Sequence, residues 1–346
     1  MADAPLVSVV IPTRNRRDLL SRALVALARQ TYEPCEIIVV DDGSTDDTPT
    51  LLAQFAEQNP SLAFRWLRND PQRGANPSRN RGVGEARGPF VAFLDDDCIA
   101  EPEWLKRLLA GFVSDRVAAV TGGVDDAEPA NIYELTFKGT HRVHGRGKAT
   151  RLVGLNMCVR RDLLLKCAFD EDRARPCGEV SVSGRGDEEG LFLTLRALGY
   201  EQRVVPNAVV FHEHHYSRRT FFRQAYRGGQ AAARLGFKYS LPPRIELTPL
   251  LLAYLLIPLG FVGAWWWLVP AACAGFFLAA ITYNELVRKR KTILETLMTF
   301  PVLLVYYHLR LAGYVVQYAR LLCGRDTIER VKLRRAQSMR RAGTRP

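Results

Sequence analysis

The chain lacks any paired-cysteine pattern. Its seven cysteines (Cys35, Cys98, Cys158, Cys167, Cys177, Cys273 and Cys323) are odd in number and scattered, with no Cys-x-x-Cys pair. That argues against a disulfide framework and a structural zinc site, and for a reduced, cytoplasmic setting of the soluble part. The N-terminus lacks a charged start followed by a long apolar stretch. Leu6 to Ile11 suffices only for a strand, so no signal peptide is expected. No internal repeat is found. Acid is in deficit, with 36 Asp and Glu against 48 Lys and Arg, a formal net charge of +12.

That excess lies largely in the C-terminal third. Residues 1 to about 246 read as soluble α/β, residues 247–283 hold no charged side chain, and residues 284–346 are strongly basic. A basic balance suits nucleic acid or anionic membrane. Beside so long an apolar stretch, anionic lipid is expected and nucleic acid is not.

In the first 125 residues apolar runs alternate with helical patterns. Strands are expected at Val7–Ile11 (stopped by Pro12), Glu36–Val40, Leu62–Leu67, Phe90–Leu94 and Val117–Thr121. Helices are expected over Arg16–Gln30, Asp46–Gln58 with Thr45 as its cap, Asn76–Arg87 and Pro102–Val113. Continuously apolar strands alternating with helices predict a mostly parallel sheet covered on both faces. Further on, Leu152–Cys158 reads as a strand, Arg160–Cys167 as a short helix and Asp170–Gly186 as a charged loop. A helix over Asp187–Leu198, two short strands (Gln202–Val205 and Ala208–His212) around Pro206, and a basic helix over Arg218–Leu235 complete the soluble part.

The apolar residues 247–283 predict two crossings of about 18 residues each, turning near Trp265-Trp266-Trp267. Arg244 before them and Arg288 to Lys291 after them place both flanks on the cytoplasmic side. Leu297–Val316 contains His308 and Arg310 and reads as interfacial. The expected organisation is thus a domain over 1–240, with a nucleotide-binding half (1–125) and an acceptor half (126–240). A membrane hairpin with an interfacial helix follows over 245–320, then a basic tail over 321–346.

Two acidic clusters carry the chemistry. Asp95-Asp96-Asp97 ends one predicted strand and Asp41-Asp42 ends another. Three adjacent carboxylates repel unless something positive sits with them, and a divalent cation holding a diphosphate meets that need. Parallel sheets bind ligands at the carboxyl ends of their strands, where both clusters lie.

Val7 to Asn15, Val39 to Asp46, Asn76 to Gly82 and Phe93 to Asp97 together resemble the ordered motifs of family 2 glycosyltransferases. Gly154-Leu155-Asn156-Met157 and Gly186-Asp187-Glu188-Glu189 resemble the family's acceptor-side motifs. The resemblance covers roughly residues 5–235 and implies the GT-A, Rossmann-like α/β fold, followed here by a membrane helical region. It also implies a nucleotide-sugar donor, here UDP-linked, with Asp41 or Asp42 accepting from the base. Pro12, Thr13, Arg14 and Asn15 wrap base and ribose, and Arg79 pairs with the base edge or a phosphate. The triplet resembles the Asp-x-Asp motif: Asp97, with Asp95, holds Mg2+ or Mn2+, while Asp95 and Asp96 touch the ribose or metal waters. His212, in the cluster His212-Glu213-His214-His215, is a candidate to approach that cation, and Asn156 is placed on the acceptor side.

Where the family usually has Gly-Glu-Asp, this chain has Gly186-Asp187-Glu188, with the acid lengths exchanged. Both Glu188 and Asp187 are candidate bases, Glu188 matching the base position. The expected function is inverting, metal-dependent sugar transfer to a hydroxyl of a glycan, lipid-linked, at the cytoplasmic membrane face. No Gln-x-x-Arg-Trp motif is present, which favours one sugar per encounter. Two alternatives stay open. A sugar nucleotidyltransferase shares the alternating sheet but typically has a glycine-rich loop where this chain has Pro12 to Arg16; a non-catalytic membrane scaffold could keep the fold.

Overall fold

The computed structural model describes residues 4–141, 147–149, 151–171, 188–239, 241 and 247–326. The expected base candidate Asp187, most of the loop Asp170–Gly186, Cys177 and most of the basic tail lie outside them.

Four parallel strands open the chain: β1 (Val7–Thr13), β2 (Cys35–Asp41), β3 (Ala63–Arg68) and β4 (Phe90–Leu94). Helices α1 (Arg17–Leu27), α2 (Thr48–Gln58) and α3 (Ala75–Glu85) make the crossovers. The strands are continuously apolar because both faces are covered. Val7, Val9 and Ile11 pack with Leu20 and Leu24 of α1 on one face, while Val10 packs with Ile38, Val40 and Val83 on the other. Each such side chain stabilises by roughly 2 kcal/mol through removal from water. Helix α3 lies so close to β1 that a β-carbon at Gly82 would meet Val10 Cγ1 at 2.5 Å. Helix α2 starts after Asp46, whose Oδ1 accepts from Thr48 N at 3.1 Å, so Asp46 and not Thr45 satisfies that first turn.

The sheet then turns mixed. The next elements are β5 (Cys98–Ala100), α4 (Trp104–Leu109), β6 (Val117–Asp126), α5 (Ile132–Phe137), β7 (Gly147–Lys148), β8 (Asn156–Arg160), α6 (Arg161–Lys166), α7 (Glu189–Ala197) and β9 (Glu201–His212). The strand order is β3-β2-β1-β4-β8-β6-β9-β5, with β7 on β9. Strand β8 runs antiparallel to both β4 and β6, and β5 antiparallel to β9. The sequence suggested two strands around Pro206; β9 is one strand. Its register against β6 shifts between Gly122 and Gly123, and this bulge takes up the proline, which has no N–H to give. Strand β6 likewise runs on through the two glycines expected to end it.

The chain divides into two compact units, one from the described parts of 1–127 and 143–213, the other from 128–142 and 214–331. The boundary at Glu213 falls earlier than residue 240. The second unit holds α5, α8 (Arg218–Tyr239), α9 (Thr248–Leu256), α10 (Leu268–Tyr283) and α11 (Ile293–Leu322). The expected pair of 18-residue crossings within 247–283 is not what forms. Helix α9 has 9 residues and passes into short 3-10 turns, because Pro258 and the glycines near it interrupt the ladder. Two other stretches, Trp265–Arg288 and Ile293–Leu322, are long and apolar enough to cross a membrane by length and composition. The segment read as interfacial thus belongs to a 30-residue helix.

Candidate active site

The two acidic clusters share one rim. Thr13 ends β1; its backbone pairs in register with Asp41, and its Oγ1 donates to Asp96 Oδ2 at 2.7 Å. With β2 and β4 on either side of β1, the clusters stand about 10 Å apart, two strand spacings.

On the β2 side the acids are buried and engaged. Asp41 accepts from Ser44 N at 2.9 Å and from Arg68 Nη1 at 3.0 Å. Asp42 accepts from Asn69 Nδ2 at 2.8 Å, Arg73 N at 2.8 Å and Gly74 N at 2.7 Å. A carboxylate has about four acceptor directions, so Asp42 fixes the loop before α3 and keeps one direction open. Asn15, in the left-handed region at φ 52°, ties the β1 and β2 loops together. Its amide donates to Ser44 Oγ at 2.9 Å and its Oδ1 accepts from Thr45 N at 2.7 Å. Pro12 is half-buried at the same strand end, and Arg14 is half-buried with no hydrogen bond or ion pair among the described residues.

On the β4 side two arginines pair with the triplet. Arg16 Nη1 donates to Asp96 Oδ1 at 2.9 Å and to Asp97 Oδ2 at 2.5 Å. Arg79 Nη2 donates to Asp95 Oδ1 at 2.8 Å, and its Nη1 to Asn76 Oδ1 at 3.1 Å. Arg79 is 5 % exposed and lies over the Phe169 ring at 5.8 Å, so it is a buried strut between α3 and the triplet. Burial pushes Asp96 up to about 6 against the pull of Arg16. Burial also works against charge on Asp97, but His212 and then Arg16 outweigh it and hold that carboxyl well below the usual range. Arg16 was not singled out in the sequence; its signal is only its place one residue beyond the Pro12–Asn15 turn.

Strand β5 brings in His212. Cys98 pairs with His212 across β5 and β9, which sets His212 Nε2 at 3.5 Å from Asp97 Oδ1. Burial disfavours the imidazolium, yet the Asp97 carboxylate overcomes it and raises the His212 pKa. The ligand atoms of Asp97, Cys98 and His212 lie within 4.8 Å of one another. Burial pushes the Cys98 thiol well above its ordinary value, and soft sulfur is a poor match for Mg2+ or Mn2+. What remains is carboxylate oxygen and imidazole nitrogen, a donor set that fits Mn2+ and, through the oxygens, Mg2+. Within the second unit, His214 packs with Phe137 and Tyr216.

Glu188 begins α7 and reaches the same rim. A β-carbon at Gly154 would stand 3.3 Å from Glu188 Oε2 and 3.7 Å from Arg79 Nη2. The Glu188 carboxylate and the Arg79–Asp95 pair therefore meet around one glycine, which leaves them the room. Asn156 corrects an expectation. Its side chain is 0 % exposed, with Oδ1 accepting from Trp104 Nε1 at 2.8 Å and Nδ2 donating to Gly123 O at 2.7 Å and Ala208 O at 2.9 Å. It clasps β6, β8, β9 and α4 from inside and has no surface for an acceptor.

Residues 8–150 match the family described as glycosyl transferase family 2. Glycosyltransferase AglE of Haloferax volcanii is 30% identical over 197 residues, 55% of this chain and 64% of the relative. GalNAc(5)-diNAcBac-PP-undecaprenol beta-1,3-glucosyltransferase of Campylobacter jejuni is 38% identical over 93 residues, 27% of this chain and 30% of the relative. The chain thus spans less than two thirds of the length of these curated relatives. The mannosyltransferase PcManGT of Pyrobaculum calidifontis, solved with GDP-Man and Mn2+, shares the fold at a TM-score of 0.56 and 22% identity, over 94% of this chain and 89% of that one. The architecture is the GT-A type, and residues 8–150 of the chain match glycosyl transferase family 2.

Proposed function

We propose that the protein is an inverting, metal-dependent glycosyltransferase. It moves a sugar from a nucleotide-diphosphate donor, UDP-linked, to a hydroxyl of a lipid-linked glycan at the cytoplasmic membrane face. The observation that carries this reading is the convergence of Asp42, the Asp95–Asp97 triplet and Glu188 on one rim through Thr13 and Arg79. The undecaprenol-diphosphate acceptor in the name of the Campylobacter relative supports the lipid-linked acceptor.

Asp42, with Pro12, Thr13, Arg14 and Asn15, holds the nucleoside, and Asp41, fully buried and bonded to Ser44 and Arg68, supports it from behind. Asp97, Asp95 and His212 hold Mg2+ or Mn2+. When bound, the cation supplies Lewis-acid neutralisation of the leaving diphosphate. Arg16, 41% exposed and on a long arm, is able to leave the triplet and meet phosphate oxygens. Glu188 takes the proton of the acceptor hydroxyl as that oxygen bonds to the anomeric carbon and the bond to the diphosphate breaks. A single displacement needs only this one base, so the configuration inverts.

The test is release of nucleoside diphosphate by purified protein with Mn2+, a panel of nucleotide sugars and a polyprenyl-diphosphate-linked glycan. The expected result is acceptor-dependent release with one donor, lost in Glu188→Gln. Release from no donor, or an unchanged rate in Glu188→Gln, would overturn the reading.

A further inference from the structure

We propose that the second unit is a monotopic membrane insert: the hairpin around α9 and α10 enters one leaflet and returns, and α11 lies in the membrane plane, with neither crossing. The inference rests on the proposed membrane attachment and names its geometry. The occupant of the exposed apolar face is a leaflet with anionic headgroups.

Helix α11 is about 45 Å long from its 30 residues, and both ends are tied to polar elements of the same unit. At its start Lys138, next to α5, donates to Glu295 Oε1 at 3.0 Å. At its end Arg234 of α8 and Gln317 both donate to Asp326 Oδ2 at 2.5 Å. Between these ties α11 lies along α8 with backbones touching. A β-carbon at Gly229 would collide with the Arg310 carbonyl, and one at Gly313 with the Tyr226 carbonyl. Helix α8 carries Arg218, Arg219, Arg223, Arg227, Arg234 and Lys238. Each such cation costs about 3 kcal/mol at the centre of a bilayer. A helix seated along α8 therefore cannot be the one that crosses. The opposite face of α11 is open and apolar but for His308, with Ile293, Leu294, Leu297, Met298, Val315 and Leu322 exposed. It suits a helix half-sunk in an interface.

The hairpin is too shallow to cross. The stretch Trp265–Arg288 is long enough by count, but one stripe of its second half, Phe277, Ile281 and Glu285, is seated against the unit. Phe277 and Ile281 pack with Leu250, Leu303 and Tyr306. Glu285 accepts from Lys289 and Lys291 at 2.7 Å each, and Lys289 also reaches Thr136 O of α5 at 2.8 Å. The first arm is shorter still, with 9 α-helical and 5 3-10 residues from Thr248 to Phe261, about 24 Å against about 30 Å of hydrocarbon. The tip carries Phe261, Val262 and Trp265, which are 81%, 78% and 85% exposed. Leu247 and Leu250 at the root of α9 return to the same cluster, so the hairpin enters and leaves on one side. Exposed Arg288, Arg290, Arg320 and Arg325 flank this apolar face, each worth about 1 kcal/mol at an anionic surface.

The test adds the full chain to preformed phosphatidylcholine–phosphatidylglycerol vesicles. It carries Cys323→Ser and Val262→Cys, with Asp18→Cys in place of Val262→Cys as an exposed control. Flotation is measured first, then labelling by a membrane-impermeant maleimide outside or trapped in the lumen. The expected result is flotation, outside labelling of the control, and loss of labelling at position 262 from either side. Luminal labelling at 262 would mean the hairpin crosses, and outside labelling that it never enters lipid; either overturns the geometry. Failure to float sinks the attachment itself, and a lipid-free dimer that does not float gives the face to a second copy.

Discussion

His212 Nε2 stands 3.5 Å from Asp97 Oδ1, and strand pairing sets that distance, since Cys98 of β5 faces His212 of β9. In metal-free protein the pair gives a pH-dependent stability. The raised His212 pKa makes its share fully present below the ordinary 6.5 and lost as pH rises through the raised value. The depressed Asp97 pKa makes its share present above 3.8 and lost as pH falls through the lowered value. In EDTA, the gap in Tm between wild type and His212→Gln should be widest below the ordinary 6.5 and shrink as pH rises through the raised value. A gap that does not change with pH would contradict the ion pair.

Arg16 occupies the electrostatic place of a cation between Asp96 and Asp97. Replacing it with glutamine removes a competitor. A unit charge about 4 Å away is worth about 4 kcal/mol at an effective dielectric of 20, and exposure screens much of that. Nucleotide-free Arg16→Gln should therefore bind Mn2+ about tenfold more tightly, read by electron paramagnetic resonance of free Mn2+, while binding nucleoside diphosphate more weakly. Weaker Mn2+ binding would make Arg16 a scaffold of the site instead.

Glu188→Gln should keep donor binding and lower kcat by about 10²–10⁴-fold, the usual range for a lost general base. Gly154→Val tests the same geometry from the other side, because its side chain would fill the space that Glu188 and Arg79 share. It should lower kcat and, by displacing the Arg79–Asp95 pair, also weaken Mn2+-dependent donor binding. Equal loss of donor binding in both variants would move Glu188 to the donor side.

Asn156→Ala removes a buried amide that makes three side-chain hydrogen bonds. It should cost about 3–5 kcal/mol through lost bonds and stranded partners, seen as a lower midpoint in denaturant. If stability holds and acceptor KM alone changes, the clasp role is wrong.

The parallel half of the sheet was legible because β1, β2 and β4 are covered on both faces and so read as unbroken apolar runs. The triplet was legible because adjacent acids need a counter-charge. The identity of that charge was not: Arg16 comes from a loop 80 residues upstream of Asp96, and no local pattern pairs them. The three-residue strand β5 is too short for any periodicity, so the pairing that delivers His212 was hidden. Asn156 beside Gly154 looked like a site residue because an amide on a strand rarely survives burial without a full set of partners. Trp104, Gly123 and Ala208 supply that set from distant segments. The bounds of the membrane segments were not legible because apolarity gives the length of a stretch and not where its helices break, here after Leu256 and before Ile293.

The most direct measurement of the central claim is thermal stabilisation of the purified protein by UDP with and without Mn2+, in wild type and Asp97→Asn. Ligand linkage predicts a Tm that rises with UDP only when Mn2+ is present, by about 2.7 kcal/mol of stability at a hundredfold excess over Kd, and no rise in Asp97→Asn. Stabilisation by UDP that is equal without metal, or undiminished in Asp97→Asn, would contradict a shared nucleotide and cation cleft on this rim.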